Sequence, residues 1–143
     1  MLLDANILIY AVHSGSPFHA AANRWLTDLL ESGRRVALPA QSLTAFIRVV
    51  TNPRAVTCAA SPTEAAGVVR EWLAVPTVWI PAPGPAHGEL FCGLVERYHL
   101  TGNMVSDASL AALALEHGLP LASADTDFAR FTELTWVNPL TAG

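Results

Sequence analysis

Four of the five aspartates in this chain lie inside strongly apolar sequence, where strands or helices should begin or end: Asp4 in MLLDANILIYA, Asp107 in NMVSDASLAALAL, and Asp125 and Asp127 in LPLASADTDF. A carboxylate is costly to bury unless a cation or hydrogen-bond donors meet it, so acids in these places predict a fold that gathers them around a metal ion. Three or four carboxylates in one dry cavity would repel each other strongly. Mg²⁺ or Mn²⁺, hard cations that take carboxylate and water oxygens, would relieve that repulsion, activate a water and stabilise charge on a phosphoryl oxygen. Asn6, Ser123 and Thr126 are the polar neighbours that can orient a ligand or fix a carboxylate. A plainer reading gives each acid its own duty: Asp107 charging a helix start, Asp125 and Asp127 capping a short helix, Asp4 making a turn. It does not explain why the four should meet.

Other chemistries find less support. The five histidines, His13, His19, His87, His99 and His117, form no HxH, HExxH or His/Cys set for zinc. Ser42 and Ser109 lack a nucleophile context, and there is no GxSxG and no P-loop. An aspartate-dependent phosphatase would want a DxD near the N-terminus, whereas Asp4 is followed by Ala5 and Asn6. Arg48 and Arg54 flank the end of an apolar helix and are candidate phosphate contacts, with ordinary surface arginines as the alternative. Trp25, Trp72 and Trp79 have no basic residues interleaved among them, which favours core or interface over base stacking.

The elements that must position the acids follow from periodicity and punctuation. Strands are expected at 1–3, 36–38, 78–80, 121–123 and 135–137, the last at an edge. Helices are expected from Asn6 to Val12, from Pro17 to Gly33, from Pro39 to Asn52, from Pro62 to about Ala74, from Ala86 to Tyr98 and from Asp107 to His117, with a short one at 128–131. In the second helix Phe18, Ala21, Ala22, Trp25, Leu26, Leu29 and Leu30 would face inward, and in the fourth Ala65, Ala66, Val69, Trp72 and Leu73. Short apolar strands alternating with helices predict an α/β fold with a largely parallel sheet, whose sites lie beyond the carboxyl ends of the strands. Asp4 and Asp125 each end a strand in this reading.

With 143 residues the chain fits one domain, 1–143. Charged residues make up only 14%, against roughly 25% in ordinary soluble domains, so some apolar surface should be covered by a partner. A net charge of −4 argues against coating nucleic acid by bulk charge. All eight basic residues are arginine. Cys58 and Cys92 lack metal-motif spacing and read as small buried side chains, not a disulfide. Neither a signal peptide nor a membrane span is legible, which predicts a cytoplasmic protein.

The segments LLDANILIYA, FIRVVTNP, GNMVSDASLAALALEHG, LASADTDFARF and LTWVNPL together resemble the PIN-domain family, specifically the VapC-type toxins of bacterial toxin–antitoxin pairs and the subgroup abundant in mycobacteria. The resemblance implies a three-layer α/β/α sandwich and a Mg²⁺- or Mn²⁺-dependent endoribonuclease that cuts structured RNA such as tRNA or rRNA. It also implies silencing by a cognate VapB-type antitoxin, with a homodimer or a heterocomplex as the assembly. By motif it assigns catalysis to Asp4, Asp107, Asp125 and Asp127, with Asp4, Asp107 and Asp125 on the metal and Asn6 and Ser123 in support. The chain departs from the pattern at Ala45, where many members carry a glutamate, and this favours one well-bound ion over two. It also leaves open an inactive PIN-like domain that only binds a partner.

Overall fold

Parallel strands need a crossover of a dozen or more residues, and this chain supplies helical sequence for it. In the computed structural model, which describes residues 1–141, the order is β1 (Leu2–Leu3), α1 (Ala5–Val12), α2 (His19–Glu31), β2 (Val36–Ala37), α3 (Ala40–Val50), α4 (Pro62–Leu73), β3 (Val78–Trp79), α5 (His87–Arg97), α6 (Met104–Glu116), β4 (Leu121–Ala122), a 3₁₀ turn (Thr126–Arg130) and β5 (Trp136–Val137). The strands form one sheet in the order β3-β2-β1-β4-β5, and every pairing is parallel.

Successive strand residues face opposite sides of the sheet, and the core divides accordingly. Leu3, Val36, Leu38, Val78 and Ala122 pack with α1 to α4, where Phe46 meets Trp72 at 4.8 Å between ring centroids. Leu2, Ala37 and Leu121 pack with α5, α6 and Phe128 of the 3₁₀ turn. The result is the expected three-layer α/β/α sandwich with a short parallel sheet.

The chain steps from β1 to β2 to β3 in one direction, then returns through α5 and α6 to the other side of β1. Strand order therefore reverses between β1 and β4, and a crevice opens beyond their carboxyl ends. Leu3 lies opposite Ala122, which sets Asp4 beside Ser123 at that crevice. α6 begins on one side of it, and its far end closes at Gly118 (φ +65°), where the Leu119 N–H reaches the Ala114 carbonyl at 2.8 Å.

Local differences from the expected elements have local causes. α2 begins at His19, because Ser16 Oγ accepts the Phe18 N–H and holds a turn ahead of the helix. Phe18 is thus 46% exposed, resting on Tyr10, and Ala21 is exposed as well. α6 starts at Met104, three residues before Asp107, and Leu73 lies at the exposed end of α4. Cys58 and Cys92 are free thiols, as expected, but they are exposed: Cys58 sits in the loop after α3 and Cys92 on the outer face of α5.

One gap in the β1–β2 ladder matters for the crevice. The Ala37 N–H donates to the Met1 carbonyl at 2.8 Å, and in that register the next donor, toward Leu3, would be residue 39. Pro39 has no N–H. The buried Ser42 hydroxyl donates to the Leu3 carbonyl instead, at 2.7 Å, tying α3 to the residue before Asp4. Ser42→Ala is expected to cost about 1–3 kcal/mol in urea unfolding, since a buried acceptor loses its donor; an unchanged midpoint would show that the bond contributes nothing.

Candidate metal centre

The crevice is organised around one hydroxyl. Ser123, fully buried at the end of β4, donates from Oγ to Asp4 Oδ2 at 2.7 Å. The same oxygen accepts from Asn6 Nδ2 at 3.1 Å and from the Asp125 N–H at 3.0 Å. One donor and two acceptors exhaust what a serine hydroxyl offers. Its backbone is pinned too, the carbonyl accepting from Trp136 Nε1 at 3.0 Å and the N–H donating to Val137 at 3.0 Å.

Asp4 precedes α1 as its cap. Its Oδ1 accepts the Ala5 N–H at 2.7 Å, and its Oδ2 takes the Ser123 hydroxyl and, at 3.3 Å, Asn6 Nδ2. Asn6 Oδ1 accepts the Ala124 N–H at 3.1 Å, so Asn6 bridges the ends of β1 and β4. Asp125 caps the 3₁₀ turn, its Oδ1 accepting the Asp127 N–H at 2.9 Å. Asp107 arrives from the first turn of α6, which Gln41 of α3 steadies by donating to the Ser106 carbonyl at 3.1 Å.

The tightest group of acids is Asp107, Asp125 and Asp127, each offering a carboxylate oxygen within 4.8 Å of the others. Asp4 stands beside it, held by Ser123 and Asn6. Thr126 is exposed and enters none of these hydrogen bonds. Arg48 and Arg54 are exposed at the far end of α3 and just beyond it, and Arg48 lies about 10 Å along the helix axis from Gln41. Ala45 is half-buried and brings no carboxylate. Two contributors escaped the sequence reading. Arg130, at the end of the 3₁₀ turn, lies 3.8 Å from Asp127, and its i,i+3 spacing was the available signal. Ser42 was weighed only as a nucleophile.

Electrostatics match the geometry. Burial, followed by the charges of Asp125, Asp4 and Asp127, pushes the Asp107 carboxyl up to about 6, with Arg130 opposing. Burial also raises Asp4, against the hydrogen bonds from Ser123 and Ala5. Such a set is short of positive charge and built wholly of hard oxygen donors. It fits Mg²⁺ or Mn²⁺, which would meet carboxylates from two elements, α6 and the turn after β4.

Comparison with known proteins shows the family and the fold. A family model described as "PIN domain" matches residues 1–134. The chain belongs to the PIN-domain family. Within it the relatives are VapC-type toxins. Ribonuclease VapC33 of Mycobacterium tuberculosis is 36% identical over 137 residues, covering 96% of each chain. Ribonuclease VapC43 of the same organism is 39% identical over 140 residues, covering 98% of this chain and 95% of its own. The fold is shared with VapBC2 from Rickettsia felis, solved bound to a DNA fragment from its promoter: TM-score 0.67, 19% identity, 96% of each chain. Among the described residues, no helix of this VapC-type chain is long and apolar enough to cross a membrane.

The folded protein keeps the Asp107 proton up to about pH 6, while an unfolded chain releases it near 3.8. Between those values the folded state binds more protons, so this group's contribution to stability falls as pH rises. Asp107→Asn should therefore melt higher than wild type above pH 6 without metal. With screening of a half-exposed group, the gap is on the order of 2–5 °C and closes by pH 4. A gap that does not vary with pH, measured by thermal melts in chelator, would refute the repulsion.

Proposed function

We propose that this protein is the toxin of a type II toxin–antitoxin pair, an endoribonuclease that hydrolyses phosphodiester bonds in structured RNA, tRNA or rRNA, with Mg²⁺ or Mn²⁺. The observation that carries the reading is the meeting of Asp107, Asp125 and Asp127 within 4.8 Å, beside Asp4, at the point where strand order reverses. Isolated caps would have no reason to converge there. The relatives' designation as ribonucleases supports RNA as the substrate.

When bound, the ion would supply a water acidic enough to attack at neutral pH and positive charge for the phosphoryl oxygens. Asp107, Asp125 and Asp4 would hold it, with Asp127, which shares the cluster with Asp107 and Asp125, in support. Asp4, fixed by Ser123 and Asn6, presents its carboxylate in one orientation. Ser123 couples Asp4 to the turn carrying Asp125, so the two acids keep their spacing. Arg48 and Arg54, exposed at the far end of α3 and just beyond it, would be the contacts to the RNA backbone farther along.

A VapB-type antitoxin is the proposed partner, and the homodimer the proposed assembly of the toxin alone. The low charge content and an apolar groove of about 590 Å³ lined by Leu90, Leu94 and Leu115 support covered surface. Ala45 favours a second reading, a weakly active or inactive domain that serves as a binding partner.

One experiment separates the two. Purified toxin incubated with total tRNA and rRNA should cleave with Mg²⁺ or Mn²⁺, not with chelator, and Asp107→Asn should lower the rate by about 100-fold or more, removing a ligand outright. Intact RNA under all conditions would leave the binding reading standing. Ser123→Ala, which frees Asp4 and Asp125 together, should weaken Mn²⁺ binding by about 10–100-fold in calorimetry; wild-type affinity would remove Ser123 from the site.

A further inference from the structure

Arg130 is the cation of this crevice, and its contacts are unusual for a counter-ion. Its Nε–H donates to the Asp127 main-chain carbonyl at 3.1 Å, and one NH1 hydrogen points at Met104 Sδ, 3.0 Å away. Met104 is one turn before Asp107 on the same face of α6, so the guanidinium lies across the first turn of that helix. Its approach to the Asp127 carboxylate, at 3.8 Å, is too long for a hydrogen bond. The two contacts that fix the fork are thus to neutral acceptors, one of them a weak thioether. Of five N–H donors, the rest find no acceptor among the described residues.

Two other arginines are engaged elsewhere. Arg97 is paired with Glu133 at 3.0 Å, and Arg35 lies over the Trp79 ring. Among the described residues, Arg130 alone pairs with a member of the acid cluster. A surface counter-ion at i,i+3 would contribute little to stability and would be expected to close on the carboxylate. Arg130 instead is held in place by groups that leave its charge and most of its donors available. Its side chain is 30% exposed, facing solvent beside the crevice.

We propose that Arg130 is the phosphate-binding residue of the site, a fixed fork that grips a non-bridging oxygen pair of the RNA backbone next to the acids. Once the carboxylates are neutralised, its weak attraction to Asp127 is relieved and its free N–H groups face the incoming phosphodiester. Arginine suits this because its planar fork matches phosphate bidentately, which a lysine ammonium does not. The inference rests on the nuclease reading.

The test uses the full chain with Ca²⁺ in place of Mg²⁺, fluorescein-labelled total tRNA as the probe, and anisotropy at several salt concentrations. Arg130→Gln is expected to weaken binding about tenfold or more, as for loss of a charged hydrogen bond. The slope of log affinity against log salt should shrink by about 0.7–0.9, one phosphate contact. Arg130→Lys should restore the slope but not the affinity. Mn²⁺ affinity, measured by calorimetry without RNA, should stay the same or rise in both variants.

Equal RNA affinity and slope in wild type and Arg130→Gln would overturn the proposal. So would loss of Mn²⁺ binding in parallel with RNA binding, which marks a structural role. Should Arg130→Gln melt early, Arg130→Lys decides: wild-type affinity in it overturns the bidentate grip. If wild type neither binds nor cleaves RNA, the nuclease reading fails and this inference with it; if wild type cleaves and only the Arg130 result is flat, the nuclease reading stands alone.

Discussion

The parallel pairing of β1 with β4 is the constraint from which the site follows. Each strand is only two residues long, yet their register sets Asp4 beside Ser123, and the Ser123 hydroxyl spends its full bonding capacity on Asp4, Asn6 and Asp125. A shift of one residue would turn Leu3 and Ala122 to the wrong core and take Asp4 out of reach of that hydroxyl. Burial on both faces of the sheet makes such a slip costly, so the apolar packing that stabilises the domain also fixes the polar geometry of the crevice.

Against that order stands a concentration of negative charge. Asp107 feels burial and three neighbouring carboxylates, and Arg130 offsets them only in part. The acids arrive on three elements, and two of them are met locally: Asp4 by the start of α1 and Asp125 by its own turn, while Asp107, in the first turn of α6, accepts no hydrogen bond among the described residues. The site is pre-organised by hydrogen bonds and left unbalanced in charge, the condition under which a divalent cation binds and stabilises the fold together.

Much of this was legible beforehand because it rests on short-range chemistry. Asp4 and Asp125 at strand ends, together with βα alternation, implied a common edge, and the parallel sheet supplies it. The Gly118 stop and the Pro62 start of α4 followed from backbone preferences alone. The misses share a cause. Phe18, Leu73, Cys58 and Cys92 are apolar or small types whose exposure depends on which face of a helix or loop turns outward, a tertiary outcome that type does not encode. Arg130 was not singled out, since nothing local announces that Met104, on another element, lies under it. Ser42 acquires its duty only from Pro39 opposite Leu3.

The bond between Ser123 and Asp4 spans 119 positions, and the three clustered acids fall between positions 107 and 127. Closing so long a loop is entropically late, and domains emerging from the ribosome fold only as their contacts become available. A growing chain therefore carries α1 to α4 with Asp4 exposed and no assembled centre. The centre can assemble only after residues 107 to 127 have joined β1 in the sheet, so the half of the core built by α1 to α4 gains its polar crevice last.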